Sequence, residues 1–221
     1  LTGLDHRVLV GGEPPASFFA YRGIPGQLVP EGCTVSRLTQ NEEDAVDALS
    51  RLADRLGAAA ETVKTFERRV TPRPTGPLDT KSIIQAVAAT MPAGLIVATD
   101  SGGGNAAHAY CQNAESNSWL SLTGGAIGQG GPVATGAALA CPDRPVLAML
   151  GDGGAAYTNQ SFWTQARENL NVTTLIFANH SYNILNVEYA RLGVKEVGEI
   201  AASLFDIGNP ELDWVAMAKG F

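Results

Sequence analysis

The sequence predicts an α/β domain built on a parallel sheet with helices on both faces, preceded by the remnant of a second α/β domain. Three observations carry this prediction. Short apolar runs of strand length alternate with segments of helical spacing. Gly-rich stretches follow the runs. The segment "TPRPTGP", residues 71 to 77, breaks the chain with prolines that suit neither a helix nor a sheet interior. Strands that alternate with helices pair in parallel, because each helix carries the chain back to the starting edge of the sheet.

In chain order, "RVLVG", residues 7 to 11, reads as a strand, and "GIPGQLVPEGC", residues 23 to 33, is too rich in Gly and Pro for regular structure. "EDAVDALSRLADRLGA", residues 43 to 58, has helical spacing and ends on Gly57. Residues 1 to 60 therefore read as the tail of an α/β domain, residues 61 to 77 as a linker, and residues 78 to 221 as the main domain. That domain opens with a helix at about residues 79 to 91 and the strand "GLIVATD", followed by a Gly-rich turn and "SWLSL". A second Gly-rich turn then enters an Ala-rich helix. Strand 145 to 150, the motif "GDGGAAYTNQ", a helix at about 158 to 169, strand 172 to 178 and a helix at 183 to 193 complete the pattern.

Composition narrows the function. The formal charge is -7 and no basic cluster exceeds Arg68-Arg69, which argues against a nucleic-acid surface and for a small-molecule enzyme. Cys33, Cys111 and Cys141 have no paired spacing, so neither a disulfide framework nor a zinc site is expected, and a reducing, cytoplasmic setting is the default. No apolar stretch approaches the length of a membrane span, and no targeting segment is visible.

In a parallel sheet, ligands collect beyond the carboxyl ends of the strands. Three loops there stand out: "TDSGGGN" (99 to 105), "TGGAIGQGGP" (123 to 132) and "GDGGAAYTNQ" (151 to 160). Glycines let backbone amides approach a diphosphate, and a helix starting after Tyr157 would offer it a positive end. Each loop alone is also what any sharp turn requires. Spacing adds more: Asn179 lies 27 positions after Asp152, enough to leave one strand, cross by a helix and return along the next. Asp152 taken alone reads equally as a turn residue. Facing Asn179, it offers hard oxygen ligands to Mg²⁺, which would neutralise a diphosphate.

"GDGG" followed by "ANHSY", together with "LSLTGGAIGQGGPVATGAALACPDRPVLAMLGDG" and "FWTQAREN", resembles the thiamine-diphosphate-dependent enzymes, most closely their acetolactate synthase and benzoylformate decarboxylase branch. The resemblance covers residues 78 to 221. It extends more loosely to residues 1 to 60, which look like the C-terminal part of the central domain of those enzymes, and it implies a cofactor domain truncated at its C-terminus. It further implies thiamine diphosphate and Mg²⁺ as cofactors, with Asp152, the Asn179 side chain and the Ser181 carbonyl on the metal. Gly151, Gly153 and Gly154, with Gly102 and Gly103, would line the diphosphate site; Ile127 would support the bent cofactor; and the Gly125 carbonyl would accept from the aminopyrimidine. Tyr157 and Tyr182 would pack around the cofactor.

The same resemblance implies a 2-oxo acid substrate, decarboxylation with or without carboligation, and a homodimer or homotetramer. A flavin (FAD) is left open, with no motif that points to one. The chain departs from the family at Gly154, where a hydroxyl residue is usual, and at Ala178, where Asn is usual. The pyrimidine-binding domain with its glutamate has no counterpart here, so it would come from an N-terminal part or another subunit, and the chain alone is expected to be inactive. A non-catalytic binding module remains the rival reading. His180, beside a metal ligand, and His108, in "NAAHAY", are the candidate proton-transfer residues, although a histidine on a helix face is more often structural. Glu188 reads as a solvated helix position.

Overall fold

The computed structural model describes residues 3 to 58, 67 to 112 and 114 to 221. The described residues up to 58, with Ala190–Val194, form one compact unit; those from 67 to Tyr189, with Lys195–Phe221, form the other.

In the first unit, strand β1 (His6–Val10) pairs in parallel with β2 (Thr34–Thr39), and the Gly11 amide donates to Thr39 Oγ1 at 2.7 Å. Helix α1 (Ala45–Leu56) follows. The Asp44 side chain caps its start by accepting from the amides of Val46 and Asp47, and Gly57 ends it in the left-handed conformation at φ 61°. β2 lies outside the sequence expectation, because four of the six residues of "TVSRLT" are polar and it follows directly on the Gly/Pro-rich stretch. Of the expected linker, residues 61 to 66 lie outside the described residues; residues 67 to 77 carry neither helix nor strand.

The second unit is a four-stranded parallel sheet in the order β4-β3-β5-β6, with β3 at Leu95–Thr99, β4 at Asn117–Leu120, β5 at Val146–Gly151 and β6 at Val172–Phe177. β3 and β5 are central and buried on both faces, which is why they read as unbroken apolar runs. Alternate residues serve opposite cores. Leu95, Val97, Leu147 and Met149 pack against Ile84, Val87 and Met91 of α2 (Thr80–Thr90) and its C-cap, and against Ala107 and Cys111 of α3 (Gly102–Cys111). Burial pushes the Cys111 thiol up to about 11, so it stays protonated as core filling. Ile96, Ala98, Val146, Ala148 and Leu150 pack on the other face against Ala134 and Ala138 of α4 (Gly130–Ala140). Arg144 ties the amino ends of β3 and β4, donating from Nε to the Gly94 carbonyl at 2.6 Å and from Nη2 to Ser118 Oγ at 2.9 Å.

Two sequence expectations are corrected. The glycines of "TDSGGGN" do not form a turn: α3 begins at Gly102, capped by Ser101, whose Oγ accepts the Gly104 amide at 2.9 Å. Nor is "GDGGAAY" a loop: a short helix α5 (Asp152–Tyr157) begins at once after β5, and the expected helix follows it, after a break at Thr158-Asn159, as α6 (Gln160–Arg167). Glycine's poor helix propensity hides both starts; tertiary packing overrides it. Beyond β6 come α7 (Asn183–Arg191), α8 (Glu199–Phe205) and α9 (Trp214–Lys219), of which only α7 was expected. No helix among the described residues is long and apolar enough to cross a membrane.

Candidate functional site at the carboxyl ends of the central strands

The strand order places a topological switch between β3 and β5. From β3 the chain crosses through α3 to β4 on one side; from β5 it crosses through α5 and α6 to β6 on the other. The two connections diverge, leaving a crevice at the carboxyl ends of the two central strands, the position where open α/β sheets bind ligands. Asp100 follows β3 there and Asp152 follows β5.

Asp152 is 3 % exposed, and both of its oxygens are engaged by backbone. Oδ1 accepts the Gly153 amide at 2.9 Å, and Oδ2 accepts the His180 amide at 2.7 Å. The second bond ties the end of β5 to the turn after β6. That turn is held by Asn179 Oδ1, which accepts the Ser181 amide at 3.0 Å, and by His180 in the left-handed region at φ 55°. Beyond it, the Tyr182 amide donates to the Phe205 carbonyl and the Ile207 amide to the His180 carbonyl. Asp152, Asn179 and Ser181 are thus brought into one turn-to-strand junction. Each carboxylate oxygen keeps lone-pair capacity beside its amide bond, so the donor set of carboxylate, amide and backbone oxygens suits a hard cation such as Mg²⁺. Among the described residues there is no cluster of three or more His, Cys, Asp or Glu side chains, so a cation here would rest on mixed oxygen donors.

Gly153 and Gly154 form the first turn of α5, where amides have no partner one turn back. The Tyr182 ring covers Gly153 so closely that a Cβ there would come within 2.7 Å of it. Tyr182 also meets Tyr157 edge to face, with centroids 6.2 Å apart. The loop before α4 docks onto α5 through Thr158 Oγ1, which donates to the Gly128 carbonyl at 2.6 Å. On that loop Ile127 stands half exposed. Gly125, at φ 70°, gives its carbonyl to the Ile127 amide at 2.9 Å, which leaves one lone pair for another donor. These sequence-selected residues share one edge of the sheet.

Others behave differently. Gly102 is exposed with open space around it, and Gly103 is small because the Phe177 ring would lie 2.9 Å from a Cβ there. Helix-to-sheet packing therefore accounts for Gly103. The His180 ring faces Glu211, with Nε2 3.7 Å from Oε1, so its backbone rather than its imidazole supports Asp152. His108 lies two turns along α3 and meets Trp119 edge to face at 5.2 Å, level with Val97 in mid-strand. It lines a separate open cleft with Gln112, Glu115 and Asn117 and does not join the strand-end residues.

Sequence reasoning missed Asp100. Its Oδ2 accepts the Gly130 amide at 3.1 Å, while Oδ1 is buried with no hydrogen-bond partner. Burial raises its pKa above the ordinary carboxylate value, opposed by the backbone amides of Gly130, Gly151 and Gly128. The folded form thus holds the proton more tightly than the unfolded chain, and stability falls as pH rises from about 3.8 through the raised value. Asp100→Asn keeps the acceptor and removes the charge. It is expected to melt above the parent protein at pH 7.5, with a margin that shrinks towards pH 4; an equal margin at both would contradict the assignment.

The described geometry has a match among known proteins. The profile "Thiamine pyrophosphate enzyme, C-terminal TPP binding domain" matches residues 100–221, from Asp100 to the last residue. The chain belongs to the thiamine pyrophosphate enzymes. Over its whole length this thiamine pyrophosphate enzyme chain is 45% identical to the Mycobacterium tuberculosis H37Rv protein named "Putative acetolactate synthase large subunit IlvX", of which it covers 43%. It is 30% identical to benzoylformate decarboxylase of Pseudomonas aeruginosa PAO1, again covering 43% of that protein. Among solved structures, the thiamine diphosphate-dependent 4-hydroxybenzoylformate decarboxylase of Rhodococcus jostii RHA1 superposes with a TM-score of 0.71 at 25% identity, over 99% of this chain and 42% of that one. The chain thus spans less than half the length of the relatives it matches.

Proposed function

We propose that this chain supplies the diphosphate- and Mg²⁺-binding half of the active site of a thiamine-diphosphate-dependent 2-oxo acid decarboxylase or carboligase of the acetolactate synthase type. The observation that carries the reading is the junction of Asp152 and the Asn179 turn at the ends of the adjacent strands β5 and β6. In this reading residues 78 to 221 are the cofactor domain and residues 1 to 60 the end of a central domain. The pyrimidine-binding domain comes from the remainder of a longer chain or from another subunit, within a homodimer or homotetramer.

Asp152, Asn179 and the Ser181 carbonyl hold Mg²⁺, and the first-turn amide of Gly154 meets the diphosphate, while the Gly153 amide steadies the Asp152 carboxylate from the same turn. Ile127, already half exposed, is the apolar support for a bent cofactor, and Gly125 keeps a lone pair for its amino group. Tyr157 and Tyr182 exclude water along its flank. Thiamine diphosphate, when bound, supplies a nucleophilic carbon and an electron sink for loss of CO₂. The role of the chain is to bind, orient and desolvate that group.

A benzoylformate-type decarboxylase is the second reading, supported by the likeness to the benzoylformate decarboxylase and the 4-hydroxybenzoylformate decarboxylase above. The gene product carrying this chain, given thiamine diphosphate and Mg²⁺, is expected to release CO₂ from pyruvate and form an acetohydroxy acid. Turnover of benzoylformate to an aldehyde without ligation would favour the second reading. Cofactor binding with no CO₂ released from any 2-oxo acid would overturn both and leave a binding module.

A further inference from the structure

The loop between β4 and α4 has an open tip and a tightly docked base. At the tip, a Cβ placed on Gly124 would meet nothing within 4 Å, and Ile127 is half exposed. At the base, Gly128 is buried with φ 90°, and a Cβ there would lie 2.8 Å from the Tyr157 Cβ and 3.2 Å from the Gly154 carbonyl oxygen. A side chain is excluded twice over, by the left-handed backbone and by the closeness of α5. The Thr158 hydroxyl fastens this contact, donating to the Gly128 carbonyl at 2.6 Å. Thr158 stands at the break between α5 and α6, where its φ of -138° and ψ of 33° leave the helical range. Its backbone is held there at both ends: the amide donates to the Ala155 carbonyl at 3.3 Å, and the carbonyl accepts the Ser161 amide at 2.9 Å.

We infer that Thr158 is a positioning residue that sets the reach between the two halves of the cofactor site. In the proposed function, on which this inference rests, α5 brings Asp152 and Gly154 to the diphosphate and its cation, while the loop tip brings Gly125 and Ile127 to the thiamine rings. The hydroxyl locks loop to helix at the residue after Ile127, so it aims the tip without touching the ligand. Releasing it leaves each half intact but misaligned with the other, and only a ligand that spans both halves loses binding. Valine keeps the shape of threonine and deletes the donor; serine keeps the donor and deletes the methyl.

The test is titration calorimetry of thiamine diphosphate and of inorganic diphosphate, each with Mg²⁺, on the gene product carrying this chain. Thr158→Val is expected to bind thiamine diphosphate about tenfold more weakly than the parent while holding inorganic diphosphate within about twofold, and Thr158→Ser to bind both like the parent. A purely structural lesion weakens the two ligands alike. Equal loss on both therefore overturns the inference, as does unchanged affinity in Thr158→Val, or a Thr158→Ser variant as weak as Thr158→Val. Should Thr158→Val not fold, Thr158→Ala carries the same expectation and the same refutations. A parent that binds thiamine diphosphate but no inorganic diphosphate has no separable diphosphate half, which overturns the inference alone. A parent that binds no thiamine diphosphate overturns the proposed function and the inference with it.

Discussion

Asp152→Ala is expected to abolish Mg²⁺-dependent binding of thiamine diphosphate, lowering affinity at least about 100-fold in titration calorimetry. The substitution removes the one carboxylate of the proposed clamp. It also removes the acceptor of the His180 amide, which holds the turn bearing Asn179 and Ser181 against the end of β5. A second, smaller effect follows on folding: the amides of Gly153 and His180 lose a nearly fully buried acceptor, at a cost of about 1–3 kcal/mol. Asp152→Asn separates the two effects, because it keeps an acceptor for one amide and weakens the metal site. Unchanged affinity in Asp152→Ala would mean that the aspartate only shapes a turn.

The largest effect on stability is expected at Met149. Its side chain is fully buried between β3, β5 and the α2–α3 layer. Its carbonyl accepts from Thr99 Oγ1 at 3.0 Å and Ser101 Oγ at 3.2 Å, which fixes the start of α3 beside the crevice. Met149→Ala leaves the backbone bonds and opens a cavity, so it is expected to cost about 2–5 kcal/mol in urea unfolding with an unchanged m-value. A loss below about 1 kcal/mol would show that this layer is not packed around it.

What the sequence revealed depended on how local the signal was. β3 and β5 were legible because burial on both faces leaves them almost wholly apolar. That Asp152 would lie beside the turn bearing Asn179 was legible because a strand-helix-strand unit has a characteristic length, and the structure joins the two through the His180 amide. The first turns of α3 and α5 were not, since Gly102-Gly103-Gly104 and Gly153-Gly154 look like turn chemistry in one dimension. In three dimensions Gly103 makes room for Phe177 and Gly153 for Tyr182. Asp100 stood in plain view within "TDSGGGN". Its partners, Gly130 and Gly154, lie 30 and 54 positions away, and only the strand order β4-β3-β5-β6 brings them to it. His108 shows the opposite case: a suggestive neighbourhood in sequence that the helix turns aside, towards Trp119.

In the proposed site, Asp152 and Asn179 act together on one cation. A crystal structure of the protein grown with thiamine diphosphate and Mn²⁺, whose anomalous signal locates the metal, tests this directly. The expected result is a single six-coordinate ion within about 2.0–2.3 Å of an Asp152 oxygen, Asn179 Oδ1 and the Ser181 carbonyl, with diphosphate oxygens completing the octahedron. An ion bound elsewhere, with Asp152 still engaged only by the amides of Gly153 and His180, would contradict it.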